Sequence, residues 1–282
     1  MMKPPYRHFL LKNPRKLIGH IESRLDVKGT AVDWIRSADD DIKASAVLFL
    51  LTRYRSDPKG EPELCLLLNK RSHRVVQPGD LCCPGGGMVL WDRILSGLIP
   101  LPISPLRRWP HWLRWRLKHP RTAHRVMLVL MTGLREAWEE MRLNPLKVLY
   151  LGPLPIQKLT LFRRRIFPLA VWVPFYPHLR PNSEVARIVN VPLRCLLDPA
   201  NYGCYRLAFK SGQSAIHGRN DFPCFIHQDV MGQEILWGAT FRIAMDFLKI
   251  AFDFTAPDLD RLPVIRGRRD EAYLNGSIWD SW

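Results

Sequence analysis

Arg135-Glu136-Ala137-Trp138-Glu139-Glu140 sets two adjacent glutamates three and four residues after a third, directly behind an arginine. The chain from Ala123 to Leu143 has a helical pattern, and Asn144-Pro145 ends it. Residues three and four apart share a helix face, so Glu136, Glu139 and Glu140 line one side with carboxylates. Carboxylates so close repel one another unless a cation compensates. Mg²⁺ and Mn²⁺ accept oxygen ligands of this kind, usually with water and phosphate oxygens completing the shell. Arg135 is placed to hold one of the carboxylates, while Leu134, Ala137 and Trp138 offer apolar surface for packing on a sheet. A solvated acidic face is the plain alternative. A glycine-rich strand end upstream and a basic chain around it favour the metal.

Working outward, short apolar runs read as buried strands. Ala46 to Leu51 is one, and Glu63 to Leu68, ending at Asn69-Lys70-Arg71, is another. Leu81-Cys82-Cys83 runs into Pro84 and the turn Gly85-Gly86-Gly87, where glycine lets backbone approach a ligand closely. Beyond the acidic helix, Tyr150 to Leu154, Phe162 to Val173 and Val185 to Val191 read as strands, and Phe241 to Ala251 as an amphipathic helix. Residues 1–43 read as a helical, charged extension, residues 44–250 as the main domain, and residues 251–282 as a loose tail.

The 282 residues suffice for one large domain or two small ones. A hydrophobic fraction of 47% and a charged fraction of 24% are those of a globular chain. Forty-two Lys+Arg against 26 Asp+Glu give a formal charge of +16, which favours anionic partners such as phosphorylated metabolites, nucleic acid or an anionic membrane face. None of the six cysteines forms a C-x-x-C pair, so reduced thiols in a cytoplasmic protein are expected rather than zinc or disulfides. The N-terminus does not read as a signal peptide, and no stretch is long and apolar enough to span a bilayer.

The acidic run resembles the R-E-U-x-E-E part of the Nudix box, G-x5-E-x7-R-E-U-x-E-E-x-G-U, with Leu143 at the final bulky position. Its flanks resemble the coenzyme A diphosphatase branch of that family. The similar stretches are Leu67-Leu68-Asn69-Lys70-Arg71-Ser72, Pro78 to Gly86, Ser183-Glu184-Val185 through Val191-Pro192-Leu193, and Trp237-Gly238-Ala239-Thr240. The resemblance implies an α/β/α sandwich with a mixed central sheet. It implies a hydrolase that cleaves the diphosphate of coenzyme A or another nucleoside diphosphate derivative with Mg²⁺ or Mn²⁺. Glu136, Glu139 and Glu140 would hold metal, Glu139 and Arg135 would act in catalysis, and Glu184 would be a further ligand or general base. Arg71 with Gly85, Gly86 and Gly87 would face the substrate phosphates. The sequence departs from the pattern in three ways. Gly87 and Arg135 are far apart, the upstream acid has only Asp92 as a candidate, and Arg142 stands where the box has glycine. The histidine and glutamine of the coenzyme A signature are Gln77 and Asp80 here. A Nudix-like module that binds a nucleotide or protein partner without turnover is the alternative these departures raise.

The separation is filled by a basic segment at about residues 90–120, read as a long insertion between the glycine turn and the acidic helix. It holds Arg107, Arg108, Trp109, Trp112, Arg114, Trp115, Arg116 and Lys118, with no acid between Arg93 and Leu134. Two roles are open: peripheral membrane contact, with tryptophans at headgroup level, or a lid or homodimer contact with the tryptophans buried. Nucleic acid is the less favoured partner.

Overall fold

The computed structural model describes residues 2, 4–27, 34, 43–57, 59–96, 105–159, 164–209, 221–269 and 273. Two N-terminal helices, α1 (Pro4–Lys12) and α2 (Pro14–Val27), precede strands β1 (Lys43–Tyr54), β2 (Glu63–Arg71), β3 (Leu81–Cys82) and β4 (Gly85–Gly87). Helices α3 (Leu90–Ser96), α4 (Trp112–Lys118) and α5 (Pro120–Met141) follow, then β5 (Leu149–Pro153), β6 (Gln157–Leu159), β7 (Arg164–Val173) and β8 (Val185–Pro192). The chain continues through α6 (Leu193–Leu196), β9 (Tyr202–Phe209), β10 (Asp221–Asp229), β11 (Gly232–Leu236), α7 (Gly238–Phe252) and β12 (Val264–Arg269).

Strands β1 to β8 form one mixed sheet, its spine ordered β3-β2-β1-β7-β5. The central pair β1 and β7 is parallel, with Leu48 opposite Leu169, and β1 and β2 are antiparallel, with Leu50 opposite Leu67. Both faces of β1 are covered, which is why Ala46 to Leu51 reads as a continuous apolar run rather than an alternation. Phe49 and Leu51 point into one core with Leu17, Ile21 and Leu25 of α2 and Phe247, Leu248 and Ala251 of α7. Ala46, Leu48 and Leu50 point into the other, with Val126, Val129, Leu130, Leu134 and Ala137 of α5. Helices therefore cover both faces of a mixed sheet, as an α/β/α sandwich requires.

Three tryptophans of the basic segment, Trp109, Trp112 and Trp115, are not at the surface. Trp109, Trp112 and Trp115 are buried in the α5-side core together with Leu106, and the Trp109 indole nitrogen donates to the Leu151 carbonyl at 3.1 Å. Of the two roles left open for them, these tryptophans take the buried one: their apolar area is already removed from water by the core. The glycine run is likewise not a simple turn. It is strand β4, paired with β1 through Gly85 opposite Val47 and Gly87 opposite Ser45.

A second sheet, ordered β11-β10-β9-β12, was not foreseen. It joins the first through buried and half-buried charges. Glu234 takes Lys70 Nζ and Arg187 Nη2, each at 2.6 Å, and Asp229 takes Arg187 Nη1 at 2.8 Å. The expected loose tail supplies a strand of this sheet, β12, parallel to β9. Phe252 and Phe254 are in the core, and Tyr273 is buried, with its hydroxyl on the Asp80 carboxylate. The start of the predicted Phe162 to Val173 strand lies outside the described residues.

Candidate active site

The C-terminal half of α5 lies beside β4 and the end of β2. A Cβ on Gly133 would meet Leu48 Cδ2 at 2.7 Å, so the missing side chain lets the helix sit close on β1. That approach sets the glutamates one turn on. Glu136 lies against Gly86 so tightly that a Cβ there would come within 2.5 Å of its carboxyl carbon. Gly85 adopts φ +149°, and a Cβ there would strike the Ala46 carbonyl at 2.2 Å, so glycine is required for the strand to take this course. The Gly85 amide donates to Glu140 Oε2 at 3.2 Å, and Asn69 Nδ2 donates to the same oxygen at 2.9 Å. Asn69 Oδ1 is buried without a partner among the described residues.

Arg135 organises the other flank. Its Nε meets Asp92 Oδ1 at 2.7 Å, and its terminal nitrogens meet Glu136 Oε1 and Glu139 Oε2 at 2.9 Å and the Gly87 carbonyl at 3.1 Å. Asp92 is fully buried and also accepts from Thr132 Oγ1 at 2.8 Å and the Val89 amide at 2.9 Å. Burial alone would raise this carboxyl, but the hydrogen bonds from Arg135, Val89 and Thr132 outweigh it and hold it below the usual carboxylate range. Thus Asp92, distant from Arg135 in the chain, lies against it in space. Nothing in the 42 residues between it and Arg135 signals the contact; the sequence clue is the spacing Gly86-x5-Asp92, which repeats the G-x5-E half of the box.

Glu184 arrives from a loop docked on the end of α5. The Arg180 and Asn182 amides cap the Met141 and Glu140 carbonyls at 2.9 and 2.8 Å, satisfying acceptors a helix end leaves open. The Glu184 amide is held by Asn182 Oδ1 at 2.8 Å, and its carbonyl accepts from the Ser72 amide at 2.8 Å. Its exposed carboxylate contributes to the field at Glu140. Arg71, at the end of β2, is anchored by Nε on the Val76 carbonyl at 2.7 Å and acts on Glu140 with the opposite sign.

Glu140 is pushed up to about 8, first by burial, with Glu136 and Glu184 adding to the rise while the Gly85 hydrogen bond and Arg71 oppose it. Glu136 is raised for the same leading reason, burial, against the pull of Arg135. Glu139 is different. It is half exposed and turned to the solvent side, paired with Arg135. The structure therefore brings Glu136, Glu140, Gly85 and Gly86 into one place, with Arg71 and Glu184 in electrostatic reach and Glu139 at the rim. Among the described residues no three His, Cys, Asp or Glu side chains converge into a metal cluster by themselves. The donor set still suits a hard cation. Two carboxylates raised chiefly by burial, with neighbouring acids adding to each rise, are what a divalent ion would compensate, and an oxygen of Asn69 stands unused beside them.

Arg142, in the place of the box glycine, ends α5 in the left-handed region at φ 59°, ψ 33°. Its amide reaches the Trp138 carbonyl at 2.9 Å, and its guanidinium lies over the Trp138 ring at 5.5 Å. The backbone that the glycine would favour is kept, and the side chain finds a partner.

Neither a family model nor a curated protein matches the chain. Solved structures with some likeness exist. A Nudix hydrolase from Nitrosomonas europaea is 9% identical, with 81% of each chain covered and a TM-score of 0.35. A C. elegans Ap4A hydrolase binary complex is 10% identical over 55% of this chain and 84% of that one, with a TM-score of 0.33. The Nudix domain of Shewanella oneidensis NrtR, complexed with ADP ribose, is 14% identical over 57% and 80%, at 0.32. Likeness at this level decides nothing about activity; the side chains carry the reading that follows.

Proposed function

We propose that this protein is a Nudix-type, Mg²⁺- or Mn²⁺-dependent hydrolase that cleaves the diphosphate bond of a nucleoside diphosphate derivative. The observation that carries the reading is the Arg135–Asp92 pair at 2.7 Å. In this reading the pair would rejoin the two halves of a box the sequence splits, with the glycine strand against Glu136 and Glu140. Residues 44–250 are the catalytic unit in this reading, and the protein works in the cytoplasm.

Glu136 and Glu140 would hold the cation, with Glu139 and Glu184 as outer carboxylates. The bound cation would neutralise phosphate oxygens and lower the pKa of an attacking water. Arg135, locked by Asp92 and Gly87, keeps Glu136 aimed at the glycine strand. Glu184, exposed at the mouth, is placed to take the proton of the water. Arg71 would orient the phosphates, and the β4 glycines leave room for them. Within the family, the coenzyme A branch is supported by Leu67 to Ser72 and the Ser183-Glu184-Val185 stretch. Gln77 and Asp80 stand at the histidine and glutamine positions of the signature without matching them; the Gln77 amide donates to the Tyr273 carbonyl, and the Tyr273 hydroxyl donates to the Asp80 carboxylate.

The test is phosphate release or mass spectrometry on coenzyme A, ADP-ribose and Ap4A with Mg²⁺ or Mn²⁺. Glu140→Gln should lose turnover by roughly a hundredfold or more. Full activity in that variant would refute the site. The half-exposed setting of Glu139 favours a second reading, a binding module without turnover. Tight, metal-independent binding of a panel member with no product would establish that one.

A further inference from the structure

Helix α4 divides its residues in an unusual way. Trp112 and Trp115 face the core, while Leu113 and Leu117, one turn apart, are 66% and 74% exposed on the opposite side. Arg116 flanks this stripe on one side and Lys118 on the other at helical spacing, both exposed, and exposed Arg108 and Arg121 adjoin the two ends of the helix. No acid occurs from Ile94 to Leu134, so nothing in that span offsets these cations. An aliphatic stripe bordered by cations, on a helix whose other face is buried, is the arrangement that enters a bilayer interface. Seven helical residues pinned by two tryptophans lose no further backbone freedom on docking.

We infer that the outward face of α4 docks this protein on an anionic phospholipid surface, Leu113 and Leu117 entering the headgroup boundary and Arg108, Arg116, Lys118 and Arg121 meeting lipid phosphates. A bilayer fits better than nucleic acid because the centre of the face is leucine. Leucine offers a base neither a stacking ring nor a hydrogen bond. No helix of the described residues is long and apolar enough to cross the membrane, so the contact is peripheral. The inference is independent of the hydrolase reading.

The experiment is co-sedimentation of the full chain with vesicles of phosphatidylcholine, with and without phosphatidylserine. Deleting the segment would remove core tryptophans, so point variants are required. The wild type should pellet with the anionic vesicles and not with the neutral ones, and added salt should release it. Leu113→Ser/Leu117→Ser should weaken partitioning roughly tenfold or more, and Arg116→Glu/Lys118→Glu should abolish it. Both pairs are exposed, so circular dichroism and melting should match the wild type. Diphosphate hydrolysis in solution should be unchanged by the leucine pair, which separates failure of this inference from failure of the catalytic one. A wild type that stays in solution, or a leucine variant that partitions equally, overturns the proposal. So does vesicle binding that duplex DNA displaces equally in wild type and leucine variant.

Discussion

Glu140→Gln should make the metal-free protein more stable at high pH while removing its activity. The cause is the position of the carboxyl, raised from 4.5 to about 8 chiefly by burial. A group raised on folding contributes stability that is fully present below its unfolded value and is lost as pH climbs through its folded value. Here that window runs from 4.5 to about 8, because above it the folded chain must bury an ionised carboxylate. At about 1.36 kcal/mol per pH unit the interval is worth at most about 5 kcal/mol. Solvent reaches part of Glu140, so about 1–3 kcal/mol is the expected effect. Glutamine keeps an oxygen for Asn69 and Gly85 and removes the charge. Calorimetric melts in chelator should give equal midpoints near pH 4, below the unfolded value. Near pH 9 the variant should melt about 2–6 °C above the wild type, at roughly 2 °C per kcal/mol for a chain of this size. Both should keep a smaller slope from Glu136. Added Mg²⁺ should raise the wild type and leave the variant unmoved. Parallel wild-type and variant midpoints from about pH 5 to about pH 9 would refute the assignment of the buried charge to Glu140.

Gly86→Ala pushes the Glu136 carboxylate off its strand, and a side-chain end can yield. The melt should therefore stay within about 1 kcal/mol while kcat/KM falls roughly a hundredfold. Asp92→Ala takes the buried partner from Arg135, which keeps Glu136 and Glu139, and leaves the Val89 amide and Thr132 hydroxyl without this acceptor, so denaturant unfolding should show a loss of about 1–3 kcal/mol, with activity reduced as well. At position 142, glycine should be more stable than alanine by about 1 kcal/mol in urea unfolding, since only glycine takes φ 59° without strain. Trp109→Ala should cost about 3–5 kcal/mol, whereas Trp91→Ala, at a residue 68% exposed, should change stability by less than about 0.5 kcal/mol.

What the sequence determined by itself is local and periodic. The glutamate spacing on α5, the continuous apolar runs of β1 and β2, and the glycines at 85 to 87 each follow from helix pitch, two-sided burial or backbone sterics. They sufficed for a mixed α/β chain, and the resemblance carried by the glutamate run implied the sandwich. The tertiary structure decided what depends on partners distant in the chain. Trp109, Trp112 and Trp115 read equally well as lipid anchors or core, because an indole's composition does not say which apolar surface covers it. The second sheet escaped notice because β9, β10 and β11 mix charged and apolar residues and are held partly by Glu234 and Arg187, an ion pair whose members lie in different strands. The tail looked loose because β12 is arginine-rich, and its order comes from the edge of β9 rather than from its own residues. Asp92 is the sharpest case. Its charge was visible in the sequence, but only the packing of α3 on α5 buries it against Arg135, and that burial turns an isolated acid into the partner that anchors the arginine beside the glycine strand.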